Sequence, residues 1–290
     1  MRHAISALAS LALAGLMMLA AGPALAQPPD GRLKLIRDSA TLRIGYRTDS
    51  RPFSYLDEQG RPTGYTIELC RRIAKSLEQQ LNGPVAIQWV AVDTRTRFDA
   101  IVNGSADMEC GSTTMSLSRM KIVDFSSVVF AESTGVLVKS GSDVFSFDSL
   151  AGKTIGVITG TTNARAVRDQ IARRKLAITT IEFGDRQAGI AALARGELDA
   201  FADDKLTLLA AARAANLRDV GLLSEDLSFE PFAIMLPRGD WAFRLAVNTA
   251  LSHVFRSGEI VELYTKYFGD VGPGASSWAG MVFIFGGLPE

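Results

Sequence analysis

The chain has 290 residues, 47% of them hydrophobic, and its 31 Lys and Arg residues balance its 31 Asp and Glu residues. This is enough chain for two compact parts, each with its own core. A net charge of zero lacks the broad positive field that nucleic-acid binding requires, so we expect no nucleic-acid partner.

The first 26 residues have the pattern of an export signal. Arg2 precedes an apolar run, and the sequence Ala-Leu-Ala at 24–26 gives the small-x-small pattern of a cleavage site. The run is short for a membrane span, and no Cys stands at the cleavage point to receive a lipid. We therefore predict a periplasmic protein that is cleaved after Ala26.

Strands and helices are predicted to alternate through the rest of the first half, as in an α/β fold. Asn82, Gly83 and Pro84 end a helix, and Arg47 follows a strand. In chain order, the predicted elements are a helical turn at 33–36, a strand at 41–46, a helix with apolar residues at helical spacing over 67–77, a strand at 85–92 and a helix that ends at Gly104.

A polar loop follows the next strand, which begins at Asp107. Gly111, Ser112 and Thr114 set backbone N–H groups and hydroxyls at the strand end, an arrangement that suits an anion. A serine-capped helix is predicted to follow, with Arg119 in its first turn and aimed back at the loop. The sequence therefore predicts a carboxylate at this loop.

The second half repeats part of this pattern. A helix that ends at Gly196 leads through a Gly-x-x-Asp turn into an apolar strand, as the helix that ends at Gly104 does. The repetition suggests two similar α/β lobes, although glycine at a helix end is common in any α/β protein. The remaining predicted elements are strands at 136–139, 154–158 and 229–236, helices at 164–172, 206–215, 241–255 and 260–268, and a Gly/Ser-rich tail.

Further polar residues lie at strand ends in the second half. Thr159 and Thr161 belong to a loop at a helix N-terminus, where the helix dipole and free N–H groups favour an anion. Asp203 and Asp204 follow the strand after Gly196.

These residues together match an amino acid with an acidic side chain. The α-carboxylate needs bidentate donors, and the ammonium needs an acid. A second carboxylate on the side chain would need a second guanidinium, and the loops at strand ends offer three arginines, Arg47, Arg97 and Arg119.

Catalysis has little support in the sequence. His253 is the only imidazole once the predicted signal is removed, and we find no nucleophile elbow, no zinc-protease motif and no Cys/His ligand spacing. We therefore predict no catalytic residue, no metal and no cofactor. The two cysteines, Cys70 and Cys110, could form a disulfide or remain two buried thiols, and their spacing does not decide between these.

The chain resembles the periplasmic solute-binding proteins of polar amino-acid ABC transporters, family 3, and within them the glutamate/aspartate-binding branch. The resemblance covers essentially all of the mature chain. The motifs that carry it lie at 51–55, 64–65, 103–119, 160–162, 196–204 and 230–236.

The resemblance implies a type II periplasmic-binding-protein fold. Two α/β lobes would be joined by two crossing segments, near 129–135 and 228–232, and would close on a ligand about this hinge. The implied organisation is a signal peptide at 1–26, the first part of lobe I at 27–133, lobe II at 134–228 and the second part of lobe I at 229–290.

The resemblance also implies ligand-binding roles. The α-carboxylate would be held by Arg119, Ser112 and Thr114, with Thr161 closing from the other lobe. Asp204, rather than Asp203, would take the ammonium, and the side-chain carboxylate would be held by Arg47, Arg97 and Thr94. Phe53, Thr159 and Asp203 are further candidates. Ile158 stands where the family has a polar residue. The site therefore offers the ligand one hydroxyl fewer, or Thr159 supplies it instead.

We therefore expect a non-enzymatic, monomeric receptor for L-glutamate or L-aspartate that hands its ligand to an ABC permease in the inner membrane. Three alternatives stay open at this point. The protein could bind another polar amino acid such as glutamine, it could be an enzyme resembling cyclohexadienyl dehydratase with Glu109 or Asp203 as its acid, or it could be a sensor that docks on a receptor ectodomain.

Overall fold

The computed structural model describes residues 30–269 and 277–289. The predicted export signal and its cleavage site lie outside the described residues. Within these two ranges, no helix is both long enough and apolar enough to cross a membrane.

The helices of the described residues are numbered α1 to α9. They span Gly31–Ser39, Tyr65–Leu81, Arg97–Val102, Thr162–Arg174, Arg186–Arg195, Lys205–Ala214, Trp241–Ser257, Glu259–Phe268 and Ser277–Gly286. Two short 3₁₀ turns lie at Arg119–Lys121 and Asp148–Leu150.

The strands are numbered β1 to β13. They span Thr41–Arg47, Asp49–Ser50, Ser54–Leu56, Pro62–Thr63, Ala86–Val92, Met108–Cys110, Asp124–Glu132, Thr134–Lys139, Thr154–Ile158, Thr179–Phe183, Ala200–Asp204, Val220–Leu222 and Glu230–Leu236.

Two five-stranded sheets organise the fold. The first has the order β5-β1-β6-β13-β7 and the second the order β10-β9-β11-β8-β12, while β2, β3 and β4 form a small third sheet. We call the elements packed on the first sheet lobe I and those packed on the second sheet lobe II. The α/β class predicted from the sequence is confirmed.

The chain passes between the two sheets twice. β7 of the first sheet ends at Glu132 and β8 of the second begins at Thr134, and after β12 the chain returns to the first sheet at Glu230. In the register of β7 and β13, Glu132 lies opposite Glu230. The exact lobe boundaries given above stay a prediction.

The strand directions bring polar loops to one edge of each sheet. β1 is parallel to β5 and β6, so the residues that follow these strands meet at the carboxyl edge of the first sheet. β11 is likewise parallel to β9 in the second sheet. The parallel strands therefore place the predicted ligand-binding residues at the carboxyl edges of the two sheets.

Lobe I contains a core of packed aromatic side chains. The ring of Phe53 lies 5.0 Å from the rings of both Phe130 and Phe232, and Tyr65 and Phe268 pack against the same group. All five side chains are buried. Because Phe130 lies on β7 and Phe232 on β13, this cluster fixes the crossing strands to lobe I.

The structure corrects several predicted elements. The serine-capped helix expected after the polar loop is only the three-residue 3₁₀ turn at Arg119–Lys121, because β7 begins at Asp124 and leaves no length for a helix. The helical turn at 33–36 belongs to the nine-residue helix α1. The tail, expected to be irregular, contains α9, and the strands β2, β3, β4, β7, β10 and β12 were not predicted.

The question of the cysteines is answered by a disulfide. The Sγ atoms of Cys70 and Cys110 are bonded at 1.98 Å. The bond ties α2 to the end of β6, immediately before the polar loop at Gly111. The alternative of two free thiols is therefore wrong.

Candidate functional site

A polar cavity lies between the two lobes. Eleven residues line it, namely Arg47, Thr94, Arg97, Ser112, Thr114, Thr161, Thr162, Asn163, Arg186, Asp203 and Asp204. The structure therefore brings together all but one of the eight residues predicted as ligand contacts, and it adds the further candidate Asp203. The remaining predicted contact, Arg119, lies beside the cavity.

Arg47 ends β1 and is almost fully buried, with 3% of its surface exposed. Its backbone N–H donates to Ser54 Oγ at 2.9 Å, and its Nη2 donates to Asp49 Oδ2 at 2.9 Å. Its buried Nε has no hydrogen-bond partner among the described residues. The guanidinium is thus fixed on one side and retains a free donor on the other.

Arg97 is the first residue of α3 and is equally buried. Its Nη1 donates to Thr113 Oγ1 at 2.8 Å, and the Thr113 hydroxyl donates to Glu109 Oε2 at 2.7 Å. Burial, with the positive charges of Arg119 and Arg47 nearby, lowers the pKa of Arg97 to about 9. Its Nε also lacks a partner in the described part of the chain. An anion at this position would therefore be strongly stabilised.

The loop after β6 brings Arg119 and two hydroxyls to the same wall. Nη1 of Arg119 donates to the backbone oxygen of Thr114 at 2.8 Å, and its guanidinium lies 5.2 Å from the ring centre of Phe98. Burial also lowers the pKa of Arg119. The hydroxyls of Ser112 and Ser50 are hydrogen-bonded at 2.7 Å, which orients Ser112.

Gly111 is required at the start of this loop. A Cβ atom built on it would lie 2.2 Å from Glu109 Oε1 and 3.0 Å from Arg47 Cγ. Only glycine leaves room for both side chains beside the strand end. Burial raises the pKa of Glu109, while the nearby Arg97 acts in the opposite direction.

Lobe II supplies two buried carboxyl groups at the end of β11. Asp203 accepts a hydrogen bond from Nε of Arg186, and Asp204 accepts one from Asn163 Nδ2 at 2.8 Å. Burial, together with the charges of Asp203 and Glu230, raises the pKa of Asp204 well above its usual value. A cation beside Asp204 would offset this cost.

The loop before α4 connects the lobes through hydroxyl groups. Thr161 caps α4, because its hydroxyl accepts from the N–H of Ala164 at 3.1 Å. Thr162 donates to Glu230 Oε2 at 2.6 Å, and Thr114 of lobe I donates to the same oxygen at 2.6 Å. Glu230, the first residue of β13, therefore accepts a hydrogen bond from one hydroxyl of each lobe.

Two further candidates do not line the cavity. Phe53 lies in the aromatic core of lobe I. Thr159 is exposed, and its backbone N–H donates to the carbonyl of Phe183 within the second sheet edge. Thr159 is therefore not placed to supply the hydroxyl that Ile158 lacks, because it does not line the cavity.

Sequence reasoning missed four residues of this site, Thr162, Asn163, Arg186 and Glu230. For Arg186 a signal was available, because it is the first residue of α5, and a cation at a helix N-terminus is unfavourable unless an acid compensates. The compensating acid, Asp203, is 17 positions away and could be paired with it only from the structure.

The arrangement separates charge across the cavity. Lobe I contributes buried guanidinium groups, and lobe II contributes the carboxyl group of Asp204; among the described lining residues of lobe II the one arginine, Arg186, is paired with Asp203. Such a site can bind a small molecule with anionic groups toward lobe I and a cationic group toward lobe II. Within the described ranges, no group of three or more His, Cys, Asp or Glu residues could hold a metal ion.

Comparison with known proteins identifies the family of this chain. The family described as bacterial extracellular solute-binding proteins, family 3, matches residues 42–270. The L-glutamate/L-aspartate-binding protein of Pseudomonas aeruginosa is 34% identical over 271 residues, which cover 92% of this chain and 89% of that protein.

Two solved structures share the fold. An ancestral arginine-binding protein bound to glutamine is 28% identical, with a TM-score of 0.72, and the match covers 79% of this chain and 98% of that one. An ancestral amino acid-binding protein, AncCDT-1, a precursor of cyclohexadienyl dehydratase, is 26% identical with a TM-score of 0.72, and the match covers 82% and 100%. The predicted two-lobed fold is confirmed, and the chain belongs to family 3 of the bacterial extracellular solute-binding proteins.

Proposed function

We propose that this solute-binding protein captures L-glutamate or L-aspartate between its lobes and delivers it to an ABC permease. The observation that carries the proposal is the pair of guanidinium groups of Arg47 and Arg97, both 3% exposed and each with a buried Nε that has no partner among the described residues. A buried donor without a partner costs about 1–3 kcal/mol, and a carboxylate would relieve this cost at two positions together.

The ligand would lie with its charges matched to the two walls. Its α-carboxylate contacts Arg119, Ser112 and Thr114, with Thr161 closing from lobe II. Its ammonium contacts Asp204, whose pKa is raised by burial and by the negative charges of Asp203 and Glu230.

The side-chain carboxylate would then reach the far end of the wall. There it contacts Arg47 and Arg97, with the buried hydroxyl of Thr94 beside them. A neutral amide in its place leaves guanidinium groups buried without a counter-charge, which disfavours glutamine and asparagine.

The relatives support the same class of ligand. The protein from Pseudomonas aeruginosa is named for L-glutamate and L-aspartate, and its match extends over nearly the whole of both chains. We further propose export to the periplasm with cleavage after Ala26, action as a monomer, and lobe boundaries after residues 133 and 228.

Binding without catalysis is the better interpretation of the two acids considered for a dehydratase. Glu109 accepts a hydrogen bond from Thr113, and Asp203 is bound by Arg186. Both carboxyl groups are thus held by protein donors. AncCDT-1, the solved relative on the path to that enzyme, is itself described as an amino acid-binding protein.

Calorimetric titration against glutamate, aspartate, glutamine and asparagine tests the proposal. We expect tight binding of the two acids and at least about a hundredfold weaker binding of the two amides. Equal binding of glutamate and glutamine would contradict the assignment. Incubation with prephenate or arogenate should give no aromatic product, and release of phenylpyruvate or phenylalanine would instead establish an enzyme.

A further inference from the structure

We infer that Arg186 limits the length of the ligand that this protein accepts. The inference rests on the function proposed above and concerns the same cavity. Arg186 belongs to lobe II, where it begins α5, and only 3% of its surface is exposed.

Arg186 stands between two cavities. It lines the polar cavity, and it also lines a second cavity of about 630 Å³. Among the described residues, no other side chain belongs to both linings. Small apolar side chains from α5 and α6 form much of the second cavity, including Ala191, Ala194, Ala210 and Ala211. Open space therefore continues on the far side of the guanidinium.

The Arg186 side chain is held from both lobes. Its Nε donates to the carboxylate of Asp203 in lobe II, and its Nη1 donates to the backbone oxygen of Asp49 in lobe I at 2.6 Å. Its pKa is raised because Asp203 and Asp49 outweigh the effect of burial. A buried guanidinium bonded on two sides is a fixed wall, since moving it would break charge-assisted hydrogen bonds.

This wall lies at the end of the cavity where the ligand side chain would terminate. The carboxylate of Asp49 also accepts a hydrogen bond from Arg47, which we propose to contact the side-chain carboxylate. A ligand with a longer side chain must therefore push against Arg186. L-2-aminoadipate, with one methylene more than glutamate, is the smallest such test molecule.

The first test is a length series on the wild-type protein. We expect L-2-aminoadipate to bind at least about tenfold more weakly than L-glutamate, the discrimination that one methylene gives against a fixed wall. Equal affinities would overturn the inference on their own. Failure of glutamate and aspartate to bind would instead contradict the proposed function, so the two failures are distinguishable.

The second test opens the wall. The double variant Asp203→Asn/Arg186→Ala removes both members of the ion pair, so neither of the two is left as a buried charge without the other. We expect the affinity ratio of 2-aminoadipate to glutamate to rise about tenfold or more, because the second cavity becomes accessible.

A matched control separates length from charge. Asp203→Asn/Arg186→Met has the same charge change but keeps a long side chain in the wall, so it should raise the ratio less than the Ala variant does. Equal shifts in the Ala and Met variants, or no shift in either, would show that Arg186 is not the length limit. Thermal unfolding of both variants, with glutamate binding retained, establishes that each is folded.

Discussion

The two walls of the cavity respond to burial in opposite ways. On lobe I the pKa of Arg97 falls to about 9, and on lobe II the pKa of Asp204 rises. Each wall has like charges crowded in a desolvated place, so each is pushed toward its neutral form. We infer that a ligand with the opposite charge distribution would lower the cost of burying both walls.

Lobe I should carry most of the affinity for the acidic side chain. We expect Arg97→Gln to weaken glutamate binding about a thousandfold, or about 4 kcal/mol, because a buried carboxylate loses its charged partner. Calorimetric titration measures the loss. Arg95→Gln is the matched control, since the side chain of Arg95 is 73% exposed and should leave the affinity unchanged. A loss of glutamate affinity below tenfold for Arg97→Gln would contradict the prediction that lobe I carries most of the affinity.

Lobe I is also the lobe that a covalent bond braces. Because 40 positions separate Cys70 from Cys110, Cys70→Ala/Cys110→Ala should lower the free energy of unfolding by about 4 kcal/mol. Urea unfolding measures this change. Wild-type protein treated with a reductant should unfold at the same urea concentration as the variant, and an unchanged midpoint in both would contradict the prediction.

Lobe II should contribute less to the affinity for glutamate than lobe I does, but it should make that affinity depend on pH. We expect Asp204→Asn to weaken glutamate binding about a hundredfold, because the ammonium loses an ionic partner. Since the pKa of Asp204 is raised, its ionised fraction grows as pH rises, and wild-type affinity should increase with pH in the same direction.

The variant itself tests the origin of that pH dependence. Titrations at several pH values should give a flatter profile for Asp204→Asn than for the wild type. The exposed Asp219→Asn should keep both the affinity and the wild-type profile. A pH profile that survives in Asp204→Asn would assign it to another group.

The crossing strand between the lobes should affect the stability of the fold and leave ligand affinity unchanged. Burial raises the pKa of Glu132 from 4.5 to about 7, although its carboxylate accepts N–H groups from Ser133 and Leu206 and lies near Lys205. The folded state therefore binds an extra proton between these pH values, and stability falls as pH rises from about 4.5 through 7.

Glu132→Gln should remove this loss of stability, which is about 3 kcal/mol at pH 8 and almost nothing at pH 4.5. Unfolding temperatures at the two pH values measure it. The nearby carboxyl group of Asp226 has a lowered pKa and acts in the opposite sense, so Asp226→Asn is the control. Parallel pH curves for the wild type and Glu132→Gln would contradict the assignment.

Much of the architecture was predictable because it depends on local patterns. The helix α2 follows from apolar residues at helical spacing, and its end at Asn82 follows from the residue type that tolerates a left-handed conformation. The position of Arg47 at a strand end was likewise visible, because alternating strands and helices place such ends on one edge of the sheet.

The parts that were not predictable depend on contacts between distant positions. Arg186 donates a hydrogen bond to Asp49, 137 positions away in the sequence, and Glu230 accepts one from Thr114, 116 positions away. No local spacing encodes such pairs. The segment at Arg119 was predicted to be a helix but is a short turn, for a related reason. Its length is set by the position at which β7 joins the sheet and not by its own residues.

The space beside Gly111 has a consequence for how such a receptor changes its preference. Because Glu109 and Arg47 occupy the place of any added side chain, the strand end of lobe I tolerates no enlargement. Retargeting the protein to a new solute, in evolution or in the laboratory, should therefore begin on the opposite face, at Arg186 and Asn163 of lobe II.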